Sequence, residues 1–470
     1  MLTINRKPAF AALIVAALSC SVGLPVSAET LRQAMSAAYN NSGLLEQNRA
    51  LLRAADEDVA QAAAALRPIV NWSASAQDQR GWTKSASTLN ERVFASATSG
   101  NLAISAELTL FDGGQNKMVL AAAKEAVLAT RQSLIAVEQQ VLLAAVNAYM
   151  KVRRELDTVG LRENNLSVIQ EELRAAQDRF DVGEITKTDV AVAEARLAAS
   201  TSALAAARGS YIQAQEAYQQ AVGAAAGQLE EPGSTPKIPQ TVKAVKLAAV
   251  QNHPDMRRIQ HEIKQAELNV DRAKASSGAS VKLSGSMRYT DQEADSYSAQ
   301  NTVTLSATGP LYSGGRLPSL VRQAMARRDA QRSQLHITRQ RLEQEAGSAF
   351  ALLEMARAGR KASEEQIRAA RVAFEGVREE ATLGSRTTLD VLNAEQELLD
   401  AKAGLISAIT DEYIAAYRVL AQMGELTVDT LNLPVQKYDP KEYFNLVESA
   451  PSSGSAQGKA LDRVLKAISK

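Results

Sequence analysis

The chain has 470 residues, a net charge of +1, 46% hydrophobic residues and only 4% aromatics. Near-neutrality removes any general attraction to nucleic acid or acidic partners, and scarce aromatics among many alanines argue for long, closely packed helices over large globular cores. The single cysteine, Cys20, leaves no disulfide framework.

Residues 1–28 read as an export signal. Arg6 and Lys7 precede an apolar run from Ala9 to Leu18, and Val26-Ser27-Ala28 supplies the small-x-small pattern for cleavage before Glu29. Cys20 lies inside this segment, where acylation is the alternative to simple cleavage. Cleavage after Ala28 leaves a mature chain with no thiol and no Cys-based metal site. No later stretch is expected to reach the 18 or more apolar residues of a membrane-spanning helix.

The mature chain is written twice, as structural repeats over 29–223 and 241–424. Residues 110–223 realign with 311–424 at an offset of 201, so that Gly183, Thr186, Asp189 and Glu194 meet Gly384, Thr387, Asp390 and Glu395. Upstream the offset is 211, with Asn41, Ala55 and Val59 matching Asn252, Ala266 and Val270. A unit this long is no solenoid repeat and implies one architecture built from two equivalent halves.

Each half contains, between long helical stretches, a pair of segments with strict two-residue alternation, predicted as strands over about 69–80 and 101–111, then about 280–290 and 301–311. Val70, Trp72, Ala74 and Ala76 alternate with Asn71, Ser73, Ser75 and Gln77, and Leu102, Ile104, Ala106 and Leu108 with Ala103, Ser105 and Glu107. One apolar and one polar face over about ten residues suits a transmembrane β-strand. Trp72 and Trp82 are candidate anchors at the membrane interface, with an external loop as the alternative for Trp82.

A helical hairpin follows each strand pair, over 113–223 and 313–424. Val152, Leu156, Val159, Leu166, Ile169, Leu173, Ala176 and Phe180 keep the three-four spacing of a coiled-coil seam. About 65 residues at roughly 1.5 Å each make a rod on the order of 100 Å. Turns at Gly183 and Gly384 reverse the chain, and Val190, Ala193, Leu197, Leu204, Tyr211, Ala214 and Tyr218 carry the spacing back. Residues 224–240, with Gly227, Pro232, Gly233, Pro236 and Pro239, read as a linker, and 425–470 as an irregular segment ending in a flexible tail.

Four strands cannot close a barrel, and open sheet edges are not tolerated in lipid, so several chains must contribute strands to one barrel. The same association would set the helix pairs side by side and continue the barrel as a helical tube. The alternative, a periplasmic coiled-coil adaptor or scaffold without a pore, would be expected to carry one hairpin among soluble β-rich domains.

The chain resembles the TolC family of outer membrane channel proteins over nearly its whole mature length. The marks are Arg179-Phe180-Asp181-Val182-Gly183 followed by Thr188-Asp189-Val190, and Gly384-Ser385-Arg386-Thr387 followed by Asp390-Val391-Leu392. Leu-Phe-Asp-Gly-Gly at 110–114 and Leu-Tyr-Ser-Gly-Gly at 311–315 resemble the family's strand-to-helix junctions, at Gly113, Gly114, Gly314 and Gly315. The resemblance implies a mainly α fold with a membrane β-barrel portion. Homotrimerisation would close twelve strands and twelve tunnel helices, and the duct would serve an inner-membrane transporter through a periplasmic adaptor protein. Outer membrane lipid would surround the barrel.

It also implies a closed entrance at the periplasmic tips around Gly183 and Gly384. Asp390 matches the family's entrance aspartate, which threefold symmetry would repeat as a ring that binds cations. Asn393 stands where some members carry a second aspartate, so one charged ring becomes neutral. Asp189 and Arg386 match positions that tie neighbouring helix pairs in the closed state, while Ala381 replaces a tyrosine of that latch. A plainer role for Asp189 and Asp390, compatible with the first, is a first-turn carboxylate favoured by the helix dipole.

No enzyme, cofactor or metal site is expected. His253, His261 and His336 lack metal-ligand spacing, and the chain carries no G-x-S-x-G, phosphate-binding glycine loop or nucleotide fingerprint.

Overall fold

In the computed structural model, residues 28–84, 91–292 and 296–468 are described. The expected signal up to Ser27, with Cys20, lies outside them. The first half runs α1 (Leu31–Asn41), α2 (Gly43–Ala64), β1 (Ile69–Thr83), β2 (Val93–Phe111), α3 (Gln115–Asp181) and α4 (Lys187–Val222). The second runs α5 (Val242–Asn252), α6 (Pro254–Ala275), β3 (Ser280–Gln292), β4 (Ser296–Thr308), α7 (Arg316–Thr382) and α8 (Thr388–Gln422), followed by α9 (Pro440–Val447) and α10 (Ala456–Ile468).

The duplication is exact in these boundaries. Leu31, Gly43 and Ile69 begin elements whose copies begin 211 positions on, at Val242, Pro254 and Ser280. Both long rods, α3 and α7, have 67 residues and lie 201 positions apart. At roughly 1.5 Å per residue each spans about 100 Å.

The strands form one antiparallel sheet in the order β1-β2-β3-β4. Its register gathers Val70, Trp72 and Ala74 with Ala106, Ile104 and Leu102, and these with Gly285, Met287 and Tyr289, onto one apolar side. Trp72 is 76% exposed and Val303, on the same side of β4, 80%. The other side is polar, with a Lys282–Glu107 ion pair at 2.7 Å. A sheet with an apolar exposed face is stable only against lipid or another apolar partner.

β1 and β2 exceed their expected lengths, extending to Thr83 and back to Val93. β4 stops at Thr308 instead of 311, where Gly309 and then Pro310, which lacks an N–H, end the ladder. Each rod then starts from a tight glycine pair. Gly113 and Gly114 have φ of 67° and 85°, and Gly314 and Gly315 58° and 82°, a left-handed succession that only glycine adopts without strain. Asp112 accepts from the Gly114 and Asn116 amides at 2.9 and 2.7 Å, capping the start of α3.

α4 returns along α3 and α8 along α7, while α8 also packs on α3, so the two hairpins lie side by side. α6 lies between α3 and α7; its copy α2 touches α3 and packs against α9 instead of a second rod. The main core joins α1, α2, α3 and α4, with Tyr149, Tyr218, Leu142 and Leu52 fully buried. By length and composition α4 passes as a membrane-crossing helix, contrary to expectation, because its many alanines raise its hydropathy; it packs along α3 instead.

Two connecting segments are more ordered than their composition suggests. The 224–240 linker is docked: Leu229 is buried and bridges Glu29, while the Tyr149 hydroxyl donates to the Glu230 carbonyl at 2.6 Å. The C-terminal segment is not an irregular, flexible tail. Asp439 caps α9, whose Tyr443 and Val447 bury against Ala60 of α2, and α10 adds Leu461 to the same cluster. The 3–4 spacing of Leu461 and Val464 was obscured by the surrounding Ser and Gly.

Candidate functional site at the hairpin tips

The tips are built from backbone first. After α3, the Gly183 amide donates to Phe180 O at 2.9 Å and the Glu184 amide to Arg179 O at 2.9 Å; after α7, Gly384 donates to Ala381 O at 3.1 Å and Ser385 to Glu380 O at 3.0 Å. These paired bonds terminate a helix through a left-handed residue, and φ is +80° at Gly183 and +77° at Gly384. A Cβ on either glycine would meet nothing within 4 Å, so the backbone angle and not space selects glycine.

Three residues later each return helix opens with the same capping box. The Thr186 amide and hydroxyl donate to Asp189 Oδ2 at 3.0 and 2.7 Å, and the Asp189 amide donates back to Thr186 Oγ1 at 3.4 Å. Thr387 and Asp390 repeat this at 3.0, 2.8 and 3.2 Å. The hydrogen bonds from Thr186 and Thr387 hold both carboxyls below the usual aspartate range. Both therefore stay ionised, with a cap role and a fixed negative charge in one group.

Arg386 is held by its own hairpin, its Nε donating to Glu380 Oε2 at 2.8 Å, and this bond raises its already high pKa. Within one chain Asp189 and Arg386 are not brought together. Asn393 is engaged across hairpins: Arg196 on α4 donates to its Oδ1 at 3.0 Å. Val182 and Leu383, beside the turn glycines, are 72% and 84% exposed, so each tip ends in a bare apolar side chain.

One residue that sequence reasoning left among the repeat matches sits just behind the tips. Glu395 on α8 is 7% exposed and accepts from Asn165 Nδ2 on α3 at 2.9 Å, while Ser200 on α4 donates to Asn165 Oδ1 at 2.6 Å. Its second oxygen is buried with no hydrogen-bond partner. Burial pushes the Glu395 carboxyl up to about 7, against a smaller lowering by Asn165. A buried carboxylate with one bare oxygen is costly when charged, so burial favours the protonated form while the hydrogen bond from Asn165 opposes it. The copy, Glu194, is exposed on α4. The signal available in sequence was an acidic residue on the seam face of both copies, one residue after the conserved-spacing Ala193 and Ala394.

Among the described residues no group of three or more His, Cys, Asp or Glu is placed to hold a metal ion. His261 instead lies 2.8 Å from Glu125, and His253 serves as the cap of α6.

Comparison with known proteins accords with this geometry. A family model described as outer membrane efflux protein matches residues 34–224 and 247–425, one segment per repeat. The chain is 34% identical over 448 residues to the outer membrane efflux protein BepC of Brucella suis, covering 94% of this chain and 95% of that one. It is 26% identical to the outer membrane protein TolC of Salmonella enteritidis over 63% of each chain. The crystal structure of the Campylobacter jejuni CmeC outer membrane channel superposes with a TM-score of 0.74 over 90% of both chains at 16% identity, a likeness of fold.

Proposed function

Since this chain belongs to the outer membrane efflux protein family and is an exit duct of the outer membrane, we propose that three copies close it into a gated tube. A periplasmic adaptor and an inner-membrane transporter would load it, and the tips at Gly183 and Gly384 form its entrance. The duct itself is passive and performs no catalysis.

The observation that carries the assembly is the duplicated interface. α8 lies on α3 within the chain. The copies of these helices, α4 and α7, each leave the equivalent flank open, so α4 of one chain fits α7 of the next as α8 fits α3. Repeating this step joins hairpins in a ring, and the edges of β1 and β4, unpaired among the described residues, pair in the same operation. Asp390 then faces the axis, and Arg386 and Asp189 lie where neighbouring hairpins meet.

The equivalence names a residue pair. Asn165 and Glu395 meet inside the chain; their copies are Gln366 and Glu194. With Cys20 removed in the exported form, cysteines at 194 and 366 joined by a short bismaleimide should yield covalent trimers from outer membrane fractions, whereas cysteines at 165 and 395 should yield only crosslinked monomers. Monomers from the first pair, or a protein absent from the outer membrane, would overturn the assembly.

A further inference from the structure

The β1/β2 hairpin is longer than its copy. The offset between repeats falls from 211 to 201 within the strand pair, so the first copy carries ten residues that the second lacks. β2 pairs with β3 only as far as Ser99 opposite Gln292, and the β3/β4 hairpin closes at Gln292 opposite Ser296. β1 and β2 stay paired beyond this level, from Asp78 opposite Thr98 to Thr83 opposite Val93. A two-stranded ribbon therefore projects past the four-stranded sheet, at the end opposite the helical rods.

Alternation continues the apolar side of the sheet up this ribbon, but its chemistry changes twice. The last apolar pair is Ala76 with Gly100. Two polar pairs follow, Asp78 with Thr98 and Arg80 with Ser96, and then Trp82 with Phe94. Trp82 lies six residues beyond Ala76, about 20 Å along a strand that rises roughly 3.3 Å per residue. The two rings meet edge to face, centroids 5.4 Å apart, and are 70% and 53% exposed. Lys84 and Arg92 are exposed immediately beyond the strand ends, and Arg80, in an ion pair with Asp78 at 2.9 Å, lies one pair below.

Aromatic rings this far beyond the apolar belt have no hydrocarbon to enter. At that height the surroundings of an outer membrane barrel are the sugars and phosphates of the outer-leaflet glycolipid. Indole and phenyl faces pack on the apolar faces of sugar rings, and guanidinium and ammonium groups pair with phosphate. We propose that the Trp82–Phe94 face, with Lys84 and Arg92, is a docking surface for the phosphorylated saccharide of that glycolipid. The surface continues the lipid-facing side of the sheet, and its cations complement an anionic headgroup. The proposal rests on the barrel standing in the outer membrane.

The test uses the full-length channel purified in detergent, with native mass spectrometry reading bound lipopolysaccharide, its dephosphorylated form, or phosphatidylglycerol. The double variant Trp82→Ala/Phe94→Ala should lose at least tenfold in affinity for both glycolipid forms. Lys84→Gln/Arg92→Gln should weaken only the phosphorylated form, and wild type should prefer either glycolipid to phosphatidylglycerol. Planar-bilayer conductance of the same preparations reports the channel separately, and should not change. Unaltered glycolipid binding in either variant, or equal binding of phosphatidylglycerol, would overturn the proposal, whereas loss of oligomer or of conductance with glycolipid retained would count against the assembly and not against this surface.

Discussion

Asn165 on α3 donates a 2.9 Å hydrogen bond to Glu395 on α8, joining the two hairpins of one chain through a carboxyl whose other oxygen is buried and bare. Because burial raises the Glu395 pKa to about 7 from an ordinary value of 4.5, the packed form binds its proton more tightly than a separated form does. The contribution is complete below about pH 4.5 and is lost as pH rises through 7. Arg196, Lys402 and Glu172 modulate this titration. The distance between spin labels on α3 and α8 away from this site should be shorter at pH 5 than at pH 8. Glu395→Gln should flatten that dependence, and an unchanged pH profile would remove Glu395 from the link.

Asp390 is assigned both a cap and a luminal charge, which separate by variant. Asp390→Ala should lower thermal stability through loss of the carboxylate half of the capping box. It should also move the reversal potential in a salt gradient towards zero and weaken block by divalent cations. Asp189→Ala should show the same stability loss with a smaller change in selectivity. Equal selectivity in wild type and Asp390→Ala would take Asp390 out of the conduction path.

Arg386 is bound to Glu380 at 2.8 Å in a solvent-exposed pair, and water screens such a tie strongly. It can therefore exchange partners at the proposed subunit boundary. Arg386→Ser should raise single-channel conductance, while Glu380→Gln, which leaves Arg386 its charge, should leave the closed state in place. Identical conductance in wild type and Arg386→Ser would refute the latch.

Glycines of the same backbone type should differ in tolerance. Gly384 and Gly424 both have φ of +77°, but a Cβ on Gly384 meets nothing, whereas on Gly424 it would lie 2.8 Å from backbone atoms of Asn252 and His253. Gly384→Ala should cost about 1 kcal/mol for the left-handed backbone. Gly424→Ala should cost clearly more in denaturant unfolding, because the α5–α6 junction must move.

Tyr149 and Tyr218 pin the segment at Glu29. The Tyr218 hydroxyl donates to Glu29 Oε1 at 2.8 Å, and that of Tyr149 lies 2.9 Å from the Glu29 carbonyl. Tyr149→Phe and Tyr218→Phe should each destabilise by about 1 kcal/mol. Phe350, the copy of Tyr149, has no such hydroxyl, and Phe350→Tyr should bring no matching gain.

Much of this fold was legible because the duplication gave two readings of each element. The turn glycines, capping threonines and strand alternation recur at fixed offsets, and each has a local physical cause that a single sequence displays. The strand ends were less legible: the ribbon from Asp78 to Thr83 is polar on its outer face before Trp82, so alternation faded before pairing did. α10 was missed because Ser453, Gly454 and Ser455 suggest flexibility, while its burial depends on α2, some 400 residues away. Glu395 matched Glu194 as an equivalent residue, and nothing local distinguishes them. Their environments differ because one faces the neighbouring hairpin of its own chain.

The equal length of α3 and α7 places a constraint on how this protein varies. Removing one residue from a rod withdraws its tip by about 1.5 Å and turns every later side chain by about 100°, carrying the seam off its partner. An insertion or deletion in one rod is thus tolerated only with a matching change in the other and in the two return helices. Rod length is inherited as a single quantity shared by both copies, and the span of the duct can change only in coordinated steps of whole helical periods.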